Sequence, residues 1–135
     1  MNLDNLWVVA GALTRADGLW LMHRRPLEKQ HGGLWEFPGG KVERTERPKE
    51  ALCRELKEEL GIRVLPEACE ALSFTESDSG SGQPPIVILL YKIERWAGDA
   101  QALEGGAVDW FDASALRSLS MPPLDAELVS RLFVR

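Results

Sequence analysis

The chain has 135 residues, 44% of them hydrophobic and 27% charged, with a formal net charge of −5. That length fits a single domain over residues 1–135, and the composition can bury one ordinary core. The acidic balance argues against a binder of duplex nucleic acid or of a membrane surface, which needs a basic face against phosphates, but it is no obstacle to a small polyphosphate ligand, because a metal ion reverses the local sign.

In chain order, Met1 to Asp4 lacks a basic segment, and no apolar run approaches the roughly 18 residues of a membrane span, so neither an export signal nor a transmembrane helix is expected. Trp7 to Thr14 is an apolar run of strand length, Ala16-Asp17-Gly18 a turn, and Leu19 to His23 a second apolar run, which together read as a hairpin. Arg24 to Gly33 is a polar loop. Thr45 to Leu60 is the clearest helix, with Thr45 as N-cap, Pro48 in the first turn, Glu46 and Glu50 at the positive end of the dipole and Gly61 at C′. Ala71 to Thr75 reads as a strand, and Glu76 to Pro85, rich in Ser, Gly and Pro, as a mobile loop.

Ile86 to Ile93 has the apolar, β-branched look of a strand buried on both faces. Trp96 to Gly106 is loop and Ala107 to Phe111 a short strand. Asp112 or Ser114 caps a short helix ending near Leu119, and Pro122-Pro123 precedes a terminal helix from Leu124 to Phe133. Interspersed strands and helices give an α/β or α+β class with a helix-covered sheet. Cys53 and Cys69 lie far apart in sequence and match no metal-ligand spacing, which suits two reduced, partly buried thiols in a cytoplasmic protein.

The long helix carries a charge pattern that costs energy. At about 100° per residue, with Leu52 at 0°, Leu56 and Leu60 fall near 40° and 80°, and Glu59, Glu55 and Glu58 near −20°, −60° and −120°. Three carboxylates sharing an arc repel one another. Either a solvated face, with Arg54 and Lys57 offsetting the charge, or a hard divalent cation accommodates them. Ahead of the helix, Phe37-Pro38-Gly39-Gly40-Lys41 holds a glycine pair, which lets backbone approach a ligand closely.

Combined, the two segments read Gly40, five residues, Glu46, seven residues, then Arg54-Glu55-Leu56-Lys57-Glu58-Glu59-Leu60-Gly61-Ile62. Seven fixed types at usages of roughly 5–7%, plus two apolar positions, recur by chance on the order of once in 10⁷ such chains. The run resembles the Nudix box at every defining position. Leu34 to Lys41, Glu94-Arg95-Trp96 and Pro122-Pro123 extend the likeness along most of the chain, nearest to the MutT-like nucleoside triphosphate pyrophosphohydrolases.

The resemblance implies an α/β/α sandwich around a mixed β-sheet and Mg²⁺, or Mn²⁺, as cofactor. It implies that Glu55, Glu58 and Glu59 hold metal with the Gly39 carbonyl, that Arg54 braces them, that Glu46 supports the helix start and that Gly40 and Lys41 lie against phosphate. Glu104 best matches the further acidic residue that a later loop supplies; either it or Glu55 is the general base. Arg25 matches an arginine that contacts the nucleotide, with Arg24 beside it and His31 in the following loop as a lesser phosphate candidate. Trp35 and Phe37 flank the glycines, Phe37 as core or as a base-stacking platform, and the Ile86 to Ile93 strand walls the base pocket.

Two positions depart from the MutT pattern. The loop near Ser81-Gly82-Gln83 lacks an arginine, and Asp125 stands where a base-reading asparagine is expected. An ionised aspartate only accepts hydrogen bonds, so Asp125 suits the N7–H of 8-oxoguanine; it can instead accept from the N1–H and amino group of any guanine, or simply cap the last helix. The implied activity is attack at the β-phosphorus of a nucleoside triphosphate, 8-oxo-dGTP foremost, by a monomer or homodimer acting on a small-molecule nucleotide. CTP or methylated dCTP, ADP-ribose and dinucleoside polyphosphates are the alternative substrates, and a silent nucleotide-sensing domain the alternative of another class.

Overall fold

The computed structural model describes residues 5–78 and 82–133, so Met1 to Asp4 and Ser81 lie outside the described residues. Strand β1 (Leu6–Leu13) is central. Strand β6 (Ile86–Ile93) runs parallel along its whole length, from the Leu6–Ile86 pair to the Leu13–Ile93 pair, and β4 (Gly39–Lys41) lies antiparallel on its other edge. Beyond β6 lies antiparallel β5 (Cys69–Glu76), giving a mixed sheet in the order β4-β1-β6-β5. A smaller antiparallel sheet, β3-β2-β7, is built from β3 (Trp35–Glu36), β2 (Trp20–Arg24) and β7 (Ala107–Phe111).

Strand alternation divides the core in two. Val9, Leu13, Tyr91 and Ile93 face the first helix, α1 (Pro48–Leu60), and pack on Leu52, Leu56 and Leu60; Ala10, Ala12, Ile88 and Leu90 point the other way, toward Leu116 of α2 (Ala113–Ser118) and Leu128 of α3 (Pro123–Leu132). The result is an α/β/α sandwich. The leucines of α1 are fully buried, each worth about 1.5–3 kcal/mol. Gly61 ends that helix at φ 72°, its N–H bonded to the Lys57 carbonyl at 3.0 Å. Cys53 and Cys69, distant in sequence, adjoin the same core, where burial pushes the Cys69 thiol up to about 12 with Cys53 beside it.

Two sequence expectations need correction. β1 and β2 do not pair as a hairpin: the turn at Gly18 forms, but beyond one bridge, Thr14 to Trp20, the strands enter different sheets. Both edges of β1 are already taken by β4 and β6, so β2 finds its partners elsewhere. Nor does Thr45 cap α1. The helix starts at Pro48, and the N–H of Arg47, its N-cap residue, donates to the Glu50 carboxylate at 3.0 Å. Glu46 is drawn away from the helix start by Arg54, which leaves Glu50 to satisfy the first turn.

Strand β4 lies unusually close to β1. A Cβ at Gly39 would stand 1.9 Å from the Val9 carbonyl oxygen and 2.7 Å from the Ala10 Cα, backbone atoms of the central strand that cannot give way. Gly39→Ala is therefore expected to cost about 3 kcal/mol or more in urea unfolding. Gly18→Ala, with φ +85° but nothing within 4 Å of the added methyl, should cost only the left-handed strain of about 1–2 kcal/mol. Equal losses would show that the close approach is not what Gly39 is for.

Candidate active site

The rotation of α1 sends its three carboxylates into different surroundings. Glu59 lies within the buried stripe, 9% exposed, and its Oε1 accepts the Gly39 N–H at 3.3 Å. One turn back, the Glu55 carboxylate rests on Gly40, where a Cβ would come within 2.3 Å of it. Glu58 faces solvent, its side chain 50% exposed. The glycine pair is thus a strand whose bare backbone fits between β1 and two glutamates.

Arg54 ties this end of the helix together. Its Nε and Nη2 donate to the two oxygens of Glu46 at 2.7 and 2.8 Å, its Nη1 to Glu55 at 3.0 Å and Glu58 at 3.2 Å, and its Nη2 also to the Lys41 carbonyl at 3.1 Å. The paired guanidinium holds the Glu46 carboxyl down at about 2. Glu59 goes the other way, to about 7: burial raises it first, the charges of Glu36 and Glu104 add to that, and His23 and the Gly39 N–H oppose. Burial likewise lifts Glu55, with Arg54 opposing and Glu58 and Glu104 adding to the rise.

Glu104 reaches this group from the loop between β6 and β7. The Leu103 N–H donates to the Glu59 carbonyl and the Gln101 N–H to the Leu60 carbonyl, both at 3.0 Å, which pins the loop to the end of α1. Glu104 then shares a cavity of about 270 Å³ with Glu59, Lys29, His23 and Glu36.

The last two residues of that cavity were not singled out in the sequence. His23 and Glu36 face each other across β2 and β3, His23 Nδ1 lying 3.1 Å from Glu36 Oε2. The other oxygen of Glu36 accepts Arg25 Nη1 at 2.9 Å, and Arg25 Nε donates to the Gln30 carbonyl at 2.7 Å. A visible hint was a histidine inside an apolar strand, at an alternate position to Met22 and on the same side as Leu21. Its partner could not be read without the strand register.

Two further cavities adjoin, of about 250 and 730 Å³, and Arg25 and Glu36 line all three. Val8, Lys41, Ile88 and Asp125 line both of these, and the larger one extends to Gln30, His31 and the Glu76–Asp78 segment. Its size suits a nucleoside. Phe37 is 4% exposed and belongs to the core, so it closes the floor and presents no open face for stacking. Trp35 packs edge-on against Phe111, and Arg24 lies over the Trp35 ring and lines none of these cavities.

Asp125 is not the cap of α3. Pro122 occupies the N-cap position, no side chain caps the helix, and Asp125 Oδ2 instead accepts the Phe37 N–H at 3.0 Å, 7% exposed at the inner end of the cleft. Burial lifts its carboxyl to about 7; the Phe37 N–H and Arg25 oppose that rise, and Glu36 adds to it.

The NUDIX domain signature matches residues 5–132. The chain belongs to the Nudix family. An 8-oxo-dGTP diphosphatase of Proteus vulgaris is 45% identical over 105 residues, 78% of this chain and 90% of that protein. A CTP pyrophosphohydrolase of Escherichia coli (strain K12) is 35% identical over 121 residues, 90% of this chain and 87% of its own length. A solved MutT structure, from work on the Aliivibrio salmonicida and Vibrio cholerae proteins, superposes with a TM-score of 0.80 at 29% identity, covering 96% of this chain and 97% of that one. The protein is a MutT-like Nudix hydrolase, and among its described residues no helix is long and apolar enough to cross a membrane.

The donor set of this Nudix hydrolase fits a hard divalent cation. Among the described residues His23, Glu36 and Glu59 bring ligand atoms within 4.8 Å of one another, Glu104 lines the same cavity, and burial first and neighbouring carboxylates second raise Glu55 and Glu59, a condition that a cation relieves. Burial ranks the α1 carboxylates. Glu59→Gln should lower kcat by at least about 10³-fold, and Glu58→Gln, exposed and held by Arg54, by about tenfold or less. Steady-state rates at saturating Mg²⁺ check this; equal losses would place Glu58 as deep in the chemistry as Glu59.

Proposed function

We propose that this enzyme hydrolyses nucleoside triphosphates at the β-phosphorus, releasing a nucleoside monophosphate and pyrophosphate, and that 8-oxo-dGTP is its preferred substrate. One observation carries the reading: three adjoining cavities lie between buried Asp125 and the Glu59–Glu104 pair, and Arg25 and Glu36 line all three. The 8-oxo-dGTP diphosphatase of Proteus vulgaris supports it.

Mg²⁺ or Mn²⁺ held by Glu55, Glu59 and Glu104, with the Gly39 carbonyl alongside and Glu58 at the rim, would neutralise the polyphosphate for in-line attack. Arg25 and Lys41, lining the middle of the cleft, bind phosphate oxygens. Glu55 or Glu104 orients the attacking water and takes its proton, while Arg54 fixes Glu55 against Gly40. The base lies toward Asp125, against Val8 and Ile88. In ¹⁸O-water the label should appear in pyrophosphate; orthophosphate plus nucleoside diphosphate as products would rule out attack at the β-phosphorus.

Asp125 gives base choice a pH dependence. A carboxyl near 7 is mostly charged at pH 8.5, where it accepts from the N7–H of 8-oxoguanine and repels the bare N7 of guanine. Below pH 6 it is mostly protonated, gains a donor, and tolerates guanine. The ratio of kcat/KM for 8-oxo-dGTP over dGTP should therefore rise about tenfold or more between pH 6 and 8.5, within the roughly 1–3 kcal/mol of one base contact. Titration of the catalytic carboxylates cancels in the ratio. Asp125→Asn should abolish the slope, and a flat ratio in the wild type would remove Asp125 from base reading. A second reading, CTP, rests on the same acceptor facing a cytosine amino group and on the Escherichia coli relative; a higher kcat/KM for CTP than for 8-oxo-dGTP would select it.

A further inference from the structure

We infer that His23 is a positioning residue for Glu104, which it holds in place through the backbone of the following residue. His23 is buried at 4% exposure inside β2, on the side of the sheet that faces α1. Its Nε2 lies 3.0 Å from the Gly105 carbonyl oxygen, and since a carbonyl only accepts, that nitrogen carries hydrogen and donates. Its Nδ1 shares a proton with the Glu36 carboxylate at 3.1 Å, and Glu36 is itself gripped by Arg25. The ring is fixed at both ends.

The loop is built to receive this contact. Gly105 and Gly106 both take positive φ, 98° and 78°, and a Cβ on Gly106 would fall 2.0 Å from the Arg24 carbonyl oxygen and 3.1 Å from His23 Nε2. Backbone therefore passes directly against β2, where only glycine fits. On its other side the loop hangs from the carbonyls of Glu59 and Leu60. Glu104 sits between these two attachments, one to the helix that carries Glu59 and one to the strand that leads to Arg25. Without the His23 attachment the loop keeps its α1 contacts and the Arg24–Ala107 pair at the start of β7, but the segment between them, which carries Glu104, loses the hydrogen bond that sets its position. The inference rests on the proposed role of Glu104.

The test is a double-mutant cycle on kcat with saturating Mg²⁺ and the best nucleoside triphosphate, paired with amide hydrogen exchange at Leu103 to Gly106. Asn at position 23 can replace Nδ1 but not reach Gly105; Gln can place a donor where Nε2 was. His23→Asn should lower kcat by about tenfold to a hundredfold, the scale of a misplacement of about 1 Å, with KM changed less than threefold, and should speed exchange at Gly105 and Gly106. His23→Gln should restore most of both. In a Glu104→Gln background, His23→Asn should cost no more than about twofold. Additive losses in the cycle, with Glu104→Gln itself impaired, would overturn the positioning role and leave the proposed chemistry standing. Wild-type kcat in Glu104→Gln would overturn the role of Glu104 and the inference with it. Should no nucleoside triphosphate be turned over, the proposed reaction fails, and the exchange rates alone still decide whether His23 holds the loop. If His23→Asn does not fold, His23→Phe, which fills the place of the ring without a donor to Gly105, takes its place in the cycle and must also lose its effect when Glu104 is gone.

Discussion

The site depends on how closely β4 can approach both β1 and α1. A side chain at Gly39 would meet the backbone of the central strand, and one at Gly40 would displace the Glu55 carboxylate. Because neither carries a Cβ, two glutamates one turn apart on α1 can press against a strand rather than wave in solvent. The approach fixes Glu55 and Glu59 by contact, and fixes them to the rigid centre of the sheet. A helix of this composition docked a few ångströms further out would have the same residues and the solvated acidic face that its sequence permits.

Such docking gathers negative charge, and the structure manages it unevenly. Arg54 serves the outer group, Glu46, Glu55 and Glu58, with short hydrogen bonds that keep Glu46 ionised. Among the described residues, the arginine that reaches the inner group of Glu36, Glu59 and Glu104 is Arg25, which binds Glu36. The inner group is accordingly where burial and like charge lift Glu59 to about 7. Lys29 and His23 line the cavity of Glu59 and Glu104 with them, and gathering carboxylates at this depth still costs stability.

Much of this could be read from the chain alone, for reasons that differ by element. Ile86–Ile93 falls where its apolar run does, because a strand inside a sheet needs apolar residues to its ends, and the half-buried edge strand Ala107–Phe111 falls between the Gly105-Gly106 pair and the Asp112 cap of α2. The angles of Glu59, Glu55 and Glu58 around α1 already order them by depth, since helical geometry is local. Pairing is not local. Nothing in Trp7 to His23 says that the edges of β1 are taken by strands some 30 and 80 residues on, so the hairpin expectation failed. The same blindness hid Glu36 and His23, which become a pair only through β2–β3 register. Asp125 illustrates a third case: its place near a helix start suits a cap, and only the tertiary contact to Phe37 shows it turned into the cleft.

That contact also changes what an aspartate means at this position. In water the side chain is an acceptor alone, and its replacement of an asparagine would invert half of the hydrogen-bond pattern offered to a base. Buried to 7% exposure, with one oxygen committed to the Phe37 N–H, the carboxyl presents a single oxygen that is an acceptor when charged and a donor when protonated. Near neutrality both forms are populated, so it imitates either face of an amide in turn, where asparagine offers both at once. On the proposed function, base recognition would follow a protonation equilibrium set by burial, and the groups that tune it, Glu36 and Arg25, also line the cavity of Glu59 and Glu104. Asp125 and the Glu59–Glu104 pair, the two ends that the proposed function assigns to base and phosphates, thus draw on one pair of charges between them.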